Sequence, residues 1–198
     1  MTTAVLTAPA PATAPDRRIG VVDSRAAYLS FGLAYVLGHG ASALDRSGAG
    51  LPSWLPTTVL ALGLAAGTLF SVLAVARSRR GAGKPELLAG KLLGLSWAGG
   101  FAALFLAITA LTSTSGNPEL ATVLWPAGSG LVVGLLYLGE GAVRRNVLHY
   151  CLGTWLALVS AAALFFGTPG VFWVLAVAGG GGYAVAAHFE RGRLAGLR

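Results

Sequence analysis

The sequence predicts an all-α fold: a polytopic membrane protein, a bundle of six transmembrane helices with the N- and C-termini cytoplasmic. Three observations predict it. The 198-residue chain is 55% hydrophobic and 11% charged, against roughly 25% charged residues in an ordinary soluble domain. Its apolar residues gather in long blocks divided by short polar segments. Every Lys and Arg except Arg46 precedes the first block or lies in alternate gaps after it. Positive residues next to spans stay on the cytoplasmic side, so that alternation gives the orientation as well as the class.

Residues 1–22 are rich in Ala, Pro and Thr. Pro9, Pro11 and Pro15 break any helix there, and no positive stretch precedes an apolar one. This segment reads as a flexible cytoplasmic tail rather than a signal peptide. A transmembrane domain is expected over 23–190 and a basic cytoplasmic tail over 191–198. The first span is expected over about 26–44, ahead of a Gly- and Pro-containing outer connection. The second covers about 54–76, and the basic loop RSRRGAGKPE follows it. The third runs over about 87–111 and ends before a Gly-Asn-Pro break. The fourth covers about 120–139, with a short inner connection to the fifth, about 147–166. GTPG makes a tight outer turn into the sixth, about 171–189. Six spans of about 20 residues use most of the chain and leave no room for a soluble catalytic domain. Trp54, Trp125 and Trp173 stand where spans meet headgroups, the usual place of an aromatic anchor.

The net charge of +7 does not indicate nucleic acid. The positives are divided among four segments beside spans, and no nucleic-acid motif accompanies them. Anionic lipid headgroups are a sufficient partner. The single cysteine, Cys151, excludes an intrachain disulfide and reads as a buried, inert thiol. Arg outnumbers Lys heavily and Ala and Gly abound, which points to a bacterial plasma membrane. GAGKP lacks the rest of a phosphate loop, and no HExxH, CxxC or GxSxG is present. No cofactor and no metal site are expected.

The first span carries a polar stripe. Tyr28, Gly32, Tyr35, His39 and Ser42 step by four, three, four and three, which puts them on one helix face. An ionisable side chain within a span usually faces a bundle interior or a wet cavity. Tyr28, Tyr35, His39 and Ser42 are therefore candidates for a pathway or substrate site, with Tyr35 as hydrogen-bond neighbour of His39; a neutral His that only packs is the plainer alternative. Glu140 and Glu190 end the fourth and sixth spans. Arg144 follows Glu140 by four, and Arg193 follows Glu190 by three, so interfacial ion pairs are expected. Tyr137 and Tyr183 lie above them, which makes Tyr137, Glu140, Tyr183 and Glu190 candidates for a cytoplasmic gate. Gly130 and Gly134 form GxxxG, a close-packing signal. Gly179, Gly180, Gly181 and Gly182 interrupt the sixth span and imply either close packing or a hinge.

Two functions follow as expectations. The first is a transport component, permease-like or a channel-type subunit, that moves a small solute or ion. The second is a non-catalytic accessory subunit that packs on another membrane protein. A homo-oligomer or a heteromeric membrane partner fits either. An intramembrane enzyme ranks third, because no constellation of ionisable groups assembles at one depth.

Overall fold

The computed structural model describes residues 21–79 and 82–196. The expected N-terminal tail lies outside it apart from residues 21 and 22, as do Arg80, Gly81 and the last two residues. The fold is 89% helical without strands among the described residues. Four helices are long and apolar enough to cross a bilayer: Leu55–Ser78, Lys84–Ser115, Leu120–Val143 and the run Val147–Ala195.

We label the helical runs α1 (residues 25–49), α2 (Leu55–Ser78), α3 (Lys84–Ser115), α4 (Leu120–Val143), α5 (Val147–Ala163) and α6 (residues 167–195). α1 joins α-helical Arg25–Leu33 to a π-helical turn, Ala34–His39, then Gly40–Leu44 and a second π-turn, Asp45–Ala49. It runs one turn further than the sequence suggests, because Asp45 to Ser47 stay helical and the chain first turns left-handed at Gly48. α2 opens with Pro56 in its first turn, where a missing N–H costs nothing. α3 opens in the same way with Pro85 and ends at Gly116, left-handed with φ 64°. Its 32 residues exceed the expected third span at both ends. Ser and Thr at 112, 114 and 115 bond back to their own helix carbonyls, so the TSTS segment prolongs the helix instead of leaving it.

The run Val147–Ala195 is not one rod. Gly167 has φ 56° and Thr168 ψ 133°, and the chain reverses there. The Trp155 indole N–H donates to Ala178 O at 2.8 Å, while 23 residues of straight helix would hold them about 35 Å apart. α6 then contains a third π-turn, Leu175–Gly179, that packs against the π-turn of α1. It continues helical through Ala195, beyond the expected start of the C-terminal tail.

The packing order is α2 on α1, α1 on α6, α6 on α5, α5 on α4 and α4 on α3, with α2 and α3 scarcely touching. α4 and α5 form the tightest pair, because glycine lets their backbones meet. A Cβ on Gly134 would lie 2.7 Å from Gly153 O and closer still to Ala157 N. One on Gly141 would lie 2.7 Å from Tyr150 Cα. The GxxxG face is thus spent inside the chain. α3, by contrast, buries only Ile108 and turns Leu88, Leu92, Leu95 and Leu106 outward. Such apolar exteriors fit a multi-pass membrane protein.

The turn from α4 to α5 positions the groups described next. Arg145 N donates to Ala142 O and Asn146 N to Gly141 O, the two bonds of a Schellman cap. The cap needs a left-handed residue, and Arg145 supplies it at φ 52° instead of glycine. Asn146 then caps α5, its Oδ1 accepting from His149 N at 3.2 Å. Removing the Cβ at a left-handed position relieves about 1 kcal/mol. We therefore expect Arg145→Gly to raise the thermal unfolding temperature in detergent; a fall would mean that the guanidinium makes a contact worth more than the strain.

Candidate functional site: a cavity closed by a tyrosine and histidine cluster

A cavity of about 550 Å³ lies among the helices, between the faces of α2 and α3. One end is bounded by Asp45, Arg46, Ser53 and Thr122. Tyr35, His39 and Ser129 line its middle, and Tyr137 and Tyr183 its far wall. Trp97 and Phe101 come from α3, one turn apart, and Leu60 and Leu64 from α2. Aromatic rings and hydroxyls dominate the lining. The only formal charges among its residues are Asp45 and Arg46 near the end opposite the basic segments, and the Arg46 guanidinium lies 5.2 Å above the Phe172 ring.

The polar stripe of α1 faces this interior. Tyr28, Tyr35 and His39 are buried, and Ser42 is half-buried. The expected hydrogen bond from Tyr35 to His39 is not formed. Their rings meet edge to face at 4.9 Å, and His39 Nδ1 has no hydrogen-bond partner among the described residues although His39 is only 3% exposed. Ser42 Oγ turns back to Gly38 O at 3.0 Å. The π-turns set this level. A Cβ on Gly179 would lie 2.7 Å from the Tyr35 ring and one on Gly180 2.5 Å from Val36 Cγ2, so these glycines seat α6 against α1. Gly182 seats the Trp155 ring in the same way, while the Cβ position of Gly181 is open. All four glycines remain helical.

Below the cavity Tyr137 and Tyr183 join one aromatic stack, Glu140 meets it at His149, and Glu190 pairs separately with Arg193 and Ser24. Tyr183 packs against Tyr35 at 5.3 Å, Tyr137 at 6.3 Å and Tyr28 at 6.4 Å. Tyr137 lies 4.2 Å from the ring of His149, which the Tyr28 hydroxyl reaches at 2.6 Å from Nδ1. His149 Nε2 points toward Glu140 Oε2 at 3.8 Å, and Arg144 Nε donates to Glu140 Oε1 at 2.8 Å. Glu190 is fully buried. Arg193 grips it through Nε at 2.6 Å and Nη2 at 2.7 Å, and Ser24 N donates to its Oε1 at 3.1 Å. Arg193 Nη2 also holds Val22 O at 2.7 Å. Glu190 therefore ties the start of α1 to the end of α6. Just outside, the Arg25 guanidinium hydrogen-bonded to Asp23 holds its carboxyl below the usual carboxylate range. That small contribution is present at neutral pH and lost as pH falls through the lowered value.

His149 is the residue that sequence reading missed. The signal was present: His149, Leu152, Gly153, Leu156, Ser160 and Ala163 repeat at helical spacing, and they form the buried face of α5. The same face leaves Cys151 outside it, exposed rather than buried as expected. Among the described residues no three His, Cys, Asp or Glu side chains are grouped as metal ligands. No protein-family model, curated protein or solved structure matches this chain.

Proposed function

We propose that the chain is a transport component with six membrane crossings, permease-like or a channel-type subunit, that moves a small solute or ion through the cavity. The observation that carries this reading is the cavity itself. It is polar along one wall, reaches Asp45 and Arg46 at one end, and stops at a buried aromatic cluster flanked by ion pairs at the other. A molecule that admits a solute from one side and excludes it from the other has this form. Nothing in the lining pairs an acid with a base around a reactive centre, so the reading is non-catalytic.

Six crossings are supported by length and by the position of the ends. A straight helix of 49 residues would span about 74 Å, against roughly 30 Å of hydrocarbon, so the reversed run α5–α6 supplies two crossings. α1 supplies one more, its π-turns notwithstanding. The Ser24–Glu190 bond brings the first and last helix ends together, which supports an even number. In the sequence the positive residues fall in the segments assigned to that side, which supports a cytoplasmic placement. The bacterial plasma membrane is proposed on composition.

Labelling tests this in a Cys151→Ser background. Ser42→Cys and Ser129→Cys should react with a membrane-impermeant thiol reagent added outside intact cells, and Tyr28→Cys should not. In liposomes carrying the purified protein, at least one of a panel of small solutes and ions should cross, and His39→Ala should abolish that flux with insertion intact. Unreactive cavity positions together with no flux across the panel would sink the proposal.

One observation favours the accessory reading. An almost wholly apolar groove of about 520 Å³ runs between α5 and α6, lined by Cys151, Trp155, Val177 and Gly181. A helix of another membrane protein fits such a groove, whereas the GxxxG face is already covered. Native mass spectrometry from mild detergent separates the readings: a stable heteromer favours the accessory role, and a homo-oligomer or monomer favours transport.

A further inference from the structure

We infer that the ligand of this cavity is a small uncharged aromatic molecule with a hydrogen-bond acceptor, held against a wall of aromatic rings and fixed by His39. Its passage across the membrane rests on the transport reading; its binding in the cavity does not.

The wall is continuous. Between ring centroids, Trp97 lies 5.9 Å from Tyr137, Tyr137 6.3 Å from Tyr183 and Tyr183 5.3 Å from Tyr35. Tyr35 then lies 4.9 Å from His39, and His39 6.3 Å from Phe172. All six side chains line the cavity. They come from α1, α3, α4 and α6, so the fold assembles the file and no single helix does. The first four of these contacts are edge to face and the last is tilted. Aromatic pairs prefer edge-to-face or offset geometry, so a further flat ring finds both edges and faces to meet along this wall. A cavity of about 550 Å³ is of the size that takes a small molecule.

Charge selects against ions. The only carboxylate and guanidinium of the lining, Asp45 and Arg46, stand together at one end and have opposite signs. An ion in the middle would lose its water and gain no counter-charge, a cost that ring faces alone do not offset. The side toward α2 and α3 adds to this. These helices scarcely touch, so in a bilayer no packed seam on that side separates the cavity from hydrocarbon. An uncharged aromatic molecule tolerates that boundary, whereas an ion does not.

One polar group is left to orient the ligand. His39 Nδ1 is sealed from solvent and has no hydrogen-bond partner among the described residues. A sealed N–H without an acceptor is rarer and costlier than a sealed lone pair, so the hydrogen of the neutral imidazole sits on Nε2. The ring lines the cavity, and Nε2 is the nitrogen left to meet it. His39 thus presents a donor, and an acceptor on the ligand satisfies it.

Benzophenone is a suitable probe, being uncharged and aromatic, with one carbonyl, and labelling nearby C–H bonds when irradiated. With the protein in lipid nanodiscs, label mapped by peptide mass spectrometry should saturate at Trp97, Phe101 or Tyr137. At the outward-facing Leu95 and Leu106 it should rise in proportion to dose. Acetophenone should compete about tenfold better than ethylbenzene, which has nearly the same shape without the carbonyl. Benzoate and phenyltrimethylammonium should not compete. In a folded His39→Phe the preference for acetophenone over ethylbenzene should vanish. No saturable cavity label, or competition by either ion equal to that by acetophenone, overturns the proposal in the wild-type protein alone. An unchanged preference in His39→Phe overturns the role given to His39. Saturable binding in a protein that passes no solute keeps the ligand class and discards the transport reading. Flux of an inorganic ion without saturable label does the reverse.

Discussion

Gly134→Leu is expected to unfold the bundle at lower temperature than any other single change on this face. The α4 and α5 backbones meet at Gly134, Gly153 and Ala157, and a Cβ at 134 would collide with main-chain atoms that no rotamer can move. Forcing extra side-chain volume into a packed interface costs about 1–3 kcal/mol when side chains can yield. Here only backbone separation relieves it, so the cost is expected at about 3 kcal/mol or more. Separation of α4 from α5 also moves Glu140 away from His149. The measurement is the melting temperature in detergent, followed by fluorescence-detected gel filtration. Gly139→Leu is the matched control on the same helix, since the space around its Cβ position is open. Equal melting of the two variants would show that the close approach is not needed for stability.

Glu190→Ala is expected to be the next most damaging. It removes the acceptor of both Arg193 nitrogens and of Ser24 N from a site without solvent access. Breaking a buried ion pair costs about 3–5 kcal/mol, because the surviving charge is left unpaired. The Arg193 side chain is a quarter exposed and recovers some water, which lowers the expected loss to about 2–4 kcal/mol. Glu190→Gln should lose less, since its amide oxygen still accepts one bond. Limited proteolysis gives a second readout: loss of the tether should expose residues 22–25 to cleavage at protease concentrations that spare them in the wild type. Protection equal to wild type would mean that Val22 and Ser24 are held by something other than this carboxylate.

Much of this arrangement was legible in the chain. Periodicity placed Tyr28, Tyr35 and His39 on one face, and the i,i+4 and i,i+3 spacings announced the Glu140–Arg144 and Glu190–Arg193 pairs. Helix ends were less legible. Thr and Ser at the end of α3 can satisfy helix carbonyls as readily as they can leave a helix, so the Gly-Asn-Pro break marked the loop but not its first residue. The π-turns were illegible, because they arise from packing between α1 and α6 and leave no residue pattern of their own. The role of Gly134 could be read as close packing but not as packing within the chain, since a small face does not name the helix that covers it. His149 was missed because its partners, Tyr28 and Glu140, come from distant helices.

The order in which the helices pack has a mechanical side. α2 is held by α1 and α3 by α4, and they are neighbours in sequence with few contacts in space. The assembly is therefore a C-shaped clamp rather than a hoop. A hoop changes its bore only by breaking a seam, at the full cost of a helix interface. A clamp opens by elastic spreading of its two free jaws, with every packed pair intact and little buried surface lost. The volume between the jaws can accordingly follow the size of its contents at small energetic cost, while the tightly packed spine of α4, α5 and α6 keeps its shape.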